Sequence, residues 1–88
     1  MTIYYKFGYK FVAPSKTEHK KYDVYDVKTD KKIASFGDVR YEQYHDRIGH
    51  YKHLDHHNEA RRRLYRLRHS GDIYNKDGGG YWAAKILW

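Results

Sequence analysis

The sequence predicts an α+β fold, a small antiparallel sheet with one short and one longer Arg-rich helix packed on it. Three observations predict it. Aromatic and β-branched residues alternate through Thr2–Val12, and strand-like runs recur at Lys21–Val27 and Lys32–Phe36. Ala60, Leu64 and Leu67 then recur at i, i+4 and i+7, the period of a helix. The 88 residues, 40% hydrophobic and 18% aromatic, supply one modest core and so a single domain over 1–88.

In chain order, Ile3, Tyr5, Phe7, Tyr9 and Phe11 alternate as one strand, with a bulge or bend expected at Gly8. Pro14–Thr17 ends it. Lys21–Val27 and Lys32–Phe36 form a hairpin around Lys28-Thr29-Asp30-Lys31. Gly37-Asp38 breaks the strand pattern, and Asp38 is placed to cap a short helix carrying Tyr41, Tyr44 and Ile48. Asp55 is the expected N-cap of the longer helix, and Gly71 its left-handed end. Gly78-Gly79-Gly80 reads as a spacer or tight turn. Tyr81–Trp88 follows as a last strand with Trp82, Ala84, Ile86 and Trp88 on one face. A chain ending on tryptophan is expected to dock that end.

Charge points to the partners. The net charge is +7 and the pI near 9.6, which favours nucleic acid, acidic protein surfaces or anionic lipid. The 11 tyrosines fit a protein that packs against others. With no cysteine, disulfides and thiolate metal sites are excluded. No apolar run is long enough to span a membrane, and MTIYYKFGYKF carries no signal-peptide pattern, so a soluble, non-secreted chain is expected.

The stretch His50–His69 organises the rest. Between Lys52 and His69 six Lys and Arg face two acids. Arg62, Arg66 and His69 fall opposite the apolar stripe, while Arg61, Arg63 and Arg68 flank it. Arg62 and Arg66 repel each other at i, i+4, and the helix dipole explains tolerance of the cluster better than its presence. A solvated basic face is the bland account. An anionic partner held by Lys52, Arg61, Arg62, Arg66, Arg68 and His69 is the sharper one.

Other chemistry finds less support. His53 with His56 or His57 has helical spacing, and Asp46 or Asp55 could add a carboxylate. If Asp55 begins the helix, however, His53 falls outside it and the spacing fails. Asp55-His56-His57-Asn58 departs from the HNH nuclease order, in which the asparagine comes from a later loop. The three glycines lack the Lys-Ser/Thr of a phosphate loop. Ser15, Ser35 and Ser70 have no nucleophile context. The expectation is therefore no catalytic residue, no metal, no cofactor and no small-molecule substrate.

Several pieces together resemble a known family. They are Lys20-Lys21-Tyr22-Asp23-Val24, Phe36-Gly37-Asp38 with Tyr41 and Tyr44, Asp55-His56, Arg61-Arg62, Tyr65, Arg68-His69 and Ile86-Leu87-Trp88. In this order they resemble the small basic proteins of nucleocytoplasmic large DNA viruses, over most of the chain from Lys20 onward. The resemblance carries no catalytic residues. It implies a viral setting and a place in the virion, reached from the host cytoplasm during assembly. The expected function is a non-enzymatic minor capsid or cement protein bridging capsid proteins of the same virus. The alternative is a virion-packaged protein that contacts nucleic-acid phosphates through the Arg-rich helix.

Overall fold

A computed structural model describes residues Met1–Trp88 and has the α+β class expected, a four-stranded antiparallel sheet and two helices. Strands β1 (Thr2–Lys6), β2 (Tyr9–Ala13), β3 (Lys20–Asp26) and β4 (Lys32–Asp38) lie in sequential order. A 3-10 turn at Lys52–Leu54 precedes α1 (Glu59–Arg68) and α2 (Gly79–Ile86).

The predicted first strand is two strands. Phe7 and Gly8 both have positive φ (56° and 81°), and Lys6 pairs with Tyr9 across them. That is the two-residue hairpin turn whose twist matches the flanking strands. Tyr4 pairs with Phe11, so the inward face runs through Tyr4, Tyr9, Phe11 and Ala13, and Ile3 and Tyr5 face out. The second hairpin forms as expected, with Tyr22 opposite Phe36 and an irregularity after Val24. Gly37 does not end β4 but sits within it at φ 76°.

The last segment is a helix, not a strand. The run Tyr81–Leu87 satisfies both periods, a standing ambiguity of short apolar stretches. Helical Trp82, Ala83, Ile86 and Leu87 bury one face on the sheet, and the Ala pair favours that outcome. Gly78 is its N-cap residue and Gly79 its first turn, so the triple glycine opens the helix. A Cβ on Gly79 would stand 2.7 Å from the Ser35 carbonyl oxygen, which is how closely α2 approaches β4.

The core is aromatic. Phe11 lies edge-on to Trp82 at 5.8 Å and to Tyr22 at 6.4 Å, while Tyr22 and Phe36 stack at 5.4 Å. Such ring pairs add about 0.5–1.5 kcal/mol each beyond their buried area. The Trp82 indole N–H donates to the Lys76 carbonyl at 2.7 Å, so its one polar group is satisfied. No helix is long and apolar enough to cross a membrane.

Candidate functional site

No helix carries Tyr41, Tyr44 and Ile48 after Asp38; residues 39–50 run as turns and bends with one bridge at Gln43. Asp38 instead accepts hydrogen bonds from the backbone and guanidinium of Arg40, which hold its carboxyl well below the usual carboxylate range. Farther on, carboxylates take the amides a helix would need. Asp46 accepts from the amides of Ile48 and Tyr51, each at 2.9 Å, and from the Tyr22 hydroxyl at 2.5 Å. Burial, then Asp46, pushes the Tyr22 phenol far above its ordinary pKa, so it remains a donor.

Asp55 is not the N-cap. Its Oδ1 accepts from the Gln43 side chain at 2.5 Å and the Asp46 amide at 2.8 Å. Gln43, fully buried, also donates to the Tyr51 carbonyl and accepts from the Lys21 ammonium. Burial lowers the Lys21 pKa, opposed by Asp46, Asp38 and Asp55. Three residues later Asn58 caps α1, its side-chain oxygen accepting from the Arg61 amide at 3.1 Å. The helix ends on His69, and Gly71 takes no left-handed conformation.

The helical wheel read from the sequence holds, but its inward side is reversed. Leu64 and Leu67 are 56% and 71% exposed, and Ala60 is exposed beside them. Arg62, Tyr65, Arg66 and His69, at i, i+3, i+4 and i+7, turn toward the body. Tyr65 stacks on Trp88, Arg62 Nε donates to the Trp88 carbonyl at 2.7 Å, and Arg66 donates to the Ala84 carbonyl at 3.2 Å. Arg47 donates to the Ile86 carbonyl at 3.2 Å. Arg66 and Arg47 thus satisfy carbonyls at the C-terminal end of α2, the negative pole of its dipole, and Arg62 reaches the oxygen of Trp88 two residues beyond it. Burial, then the neighbouring charges of Arg62 and Arg66, lowers the Arg47 pKa.

This divides the six predicted binding residues. Arg62 and Arg66 spend hydrogen bonds on carbonyls of the protein itself, with a third of the Arg62 side chain still exposed. Arg61, Arg68 and His69 line one open groove of about 560 Å³ with Lys20, Tyr41, Tyr65 and Trp88. Arg61 meets Glu42 there at 3.1 Å, and His69 stacks on Tyr65 at 4.3 Å. Asp38, Glu42 and Asp72 also line it, so the groove carries both signs. Lys52 is exposed on the 3-10 turn, outside the groove.

The structure brings together a different pair of histidines from those at helical spacing. His45 Nδ1, His57 Nε2 and Asp55 Oδ2 converge, at 3.1 Å between the nitrogens, 3.2 Å from His45 to Asp55 and 3.7 Å from His57 to Asp55. His53 is not among them. These three residues could hold a metal ion. His45 lies 12 residues before His57, in coil, and no periodicity links the two.

No protein family, curated protein or solved structure matches this chain.

Proposed function

We propose that the protein is a non-enzymatic assembly component that joins other proteins through two exposed apolar surfaces bordered by cations. The observation that carries this reading is the outward stripe of α1. Leu64 and Leu67 stand in solvent between Arg61, Arg63 and Arg68, with Tyr74, 81% exposed, on the segment that follows α1. Leucines gain nothing from phosphate, whereas an apolar strip edged with guanidinium groups suits a protein surface carrying acids at its rim. A second apolar strip, Ile3 and Tyr5, lies on the outward face of β1, the sheet edge opposite β4. Two separate surfaces suit a bridge. With the resemblance to large-DNA-virus proteins, they support a minor capsid or cement role in the virion.

Binding of nucleic acid is the second reading, favoured by the +7 charge and by the exposed Arg63, Arg68 and Lys52. Salt separates the two: phosphate binding by Z cations gives a log–log slope near −0.9Z on duplex DNA. The deciding experiment compares wild type with the double variant Leu64→Glu, Leu67→Glu in purified particles of the encoding virus. Wild type should cross-link to capsid protein, and the variant should keep its melting temperature yet fail to incorporate. Absence of the wild-type chain from particles, together with tight salt-steep DNA binding, would sink the assembly reading.

A further inference from the structure

The geometry points to a divalent transition-metal site formed by His45 Nδ1, His57 Nε2 and Asp55 Oδ2. Three ligand atoms bound tetrahedrally at about 2.0–2.2 Å from one ion stand roughly 3.3 Å apart. Here the three separations are 3.1, 3.2 and 3.7 Å. Hydrogen bonding can hold two sides of this triangle, with His45 Nδ1–H donating to His57 Nε2 at 3.1 Å or to Asp55 Oδ2 at 3.2 Å, while His57 Nε2 and Asp55 Oδ2 stand 3.7 Å apart. If both nitrogens carry protons, two N–H groups face each other across 3.1 Å. If only His45 Nδ1 is protonated, that single proton is shared between the His57 lone pair and the carboxylate. A cation at the centre accepts all three lone pairs together.

The ligands are also held in place before any ion arrives. The His45 amide donates to the Leu87 carbonyl at 3.0 Å, and the His57 amide to the Tyr44 carbonyl at 3.0 Å. Gln43 and the Asp46 amide hold Asp55 Oδ1, which leaves Oδ2 to the histidines. Support of this kind on a ligating carboxylate orients it and is commonly worth 10–100-fold in affinity. His57 sits at φ 53°, a conformation that costs energy in a non-glycine residue and is retained only where its surroundings impose it.

Two imidazoles and one carboxylate select Zn²⁺, Co²⁺ or a related ion over Mg²⁺ or Ca²⁺, which prefer oxygen. His45 and His57 are 48% and 61% exposed at the side chain, so the remaining coordination positions face solvent. Water or a side chain from another protein can take them. The ion would tie His45 to the turn at 55–57, where the backbone is joined by the single Gln43–Asp55 bridge and a few loop hydrogen bonds. This inference does not depend on the assembly reading, since it concerns the isolated chain.

The test uses untagged full-length protein stripped with a chelator, titrated with ZnCl₂ by calorimetry and with CoCl₂ by visible absorption. Wild type should bind one equivalent, with the absorption of low-coordinate cobalt. His45→Gln and His57→Gln should each weaken binding at least about tenfold. At Zn²⁺ one hundred times its Kd the melting temperature should rise by at least about 5 °C, and not in the combined His45→Gln, His57→Gln variant. His53→Gln and His69→Gln should bind as wild type. Nitrogen-detected NMR of Zn²⁺-loaded wild type should show coordination through Nδ1 of His45 and Nε2 of His57, which decides the matter even if a variant misfolds. Absence of a one-to-one site, or affinity unchanged in the combined His45→Gln, His57→Gln variant, would overturn the proposal.

Discussion

The rings of Tyr65 and Trp88 lie 4.2 Å apart with 3° between their planes, and this contact turns α1 to the side opposite its leucines. Trp88 supplies the apolar face that Leu64 and Leu67 would otherwise need. His69 stacks on the other end of the arrangement, against Tyr65. Arg62 and Arg66 then reach carbonyls just beyond and at the end of α2 from the same helical face.

Removing that ring should loosen α1. Tyr65→Ala is expected to cost about 2 kcal/mol, less than a fully buried aromatic because Tyr65 is half-buried. Tyr65→Phe keeps the stack and should stay within about 0.5 kcal/mol of wild type. Urea melts measure both. The Trp emission of Tyr65→Ala should move to the red, since Trp88 would be uncovered while Trp82 stays buried.

Two glycines with similar backbone angles should respond differently to a methyl group. Gly8 (φ 81°) has nothing within 4 Å of its would-be Cβ, so Gly8→Ala carries the conformational cost alone, about 1 kcal/mol. At Gly37 (φ 76°) a Cβ would meet Leu87 Cδ1 at 2.9 Å and the Lys21 side chain at 3.0 Å. Gly37→Ala should therefore cost roughly 3 kcal/mol. Equal melting temperatures for the two variants would disprove the close packing of β4 on Leu87.

Asp23 should make stability acid-sensitive. It is fully buried on β3, and burial pushes its carboxyl up. Hydrogen bonds from Ser15, Ser35 (2.6 Å) and the Lys16 amide (2.9 Å), with Lys32 nearby, outweigh that and hold it below 3.8. A carboxyl lowered on folding contributes stability that is complete above its unfolded pKa and lost as pH falls through the folded one. Asp23→Asn should cost on the order of 3 kcal/mol at pH 7. The gap between the two proteins should narrow below pH of about 4. A constant gap from pH 7 to pH 3 would rule the ionised carboxylate out as the cause.

The sequence by itself determined the α+β class, the second hairpin and the helical period of residues 60–67. Each is local: alternation writes a strand, and spacing of three and four writes a helix, whatever lies opposite. It also determined the crowding of cations on α1. Tertiary structure decided which way α1 faces, because that depends on Trp88, 26 residues from Arg62, and on the Ala84 carbonyl of α2, 18 residues from Arg66. It decided that the last apolar run is a helix, since both periods fit and packing against Phe11 and Phe36, with the Ala83-Ala84 pair, favours the helical one. It decided the fate of the region after Asp38, where Asp46 and Asp55 draw off backbone amides that a helix would have used. It alone brought His45 to His57, through an amide bound to Leu87 and a carboxylate held by Gln43. Side chains that meet across coil leave no period in the sequence.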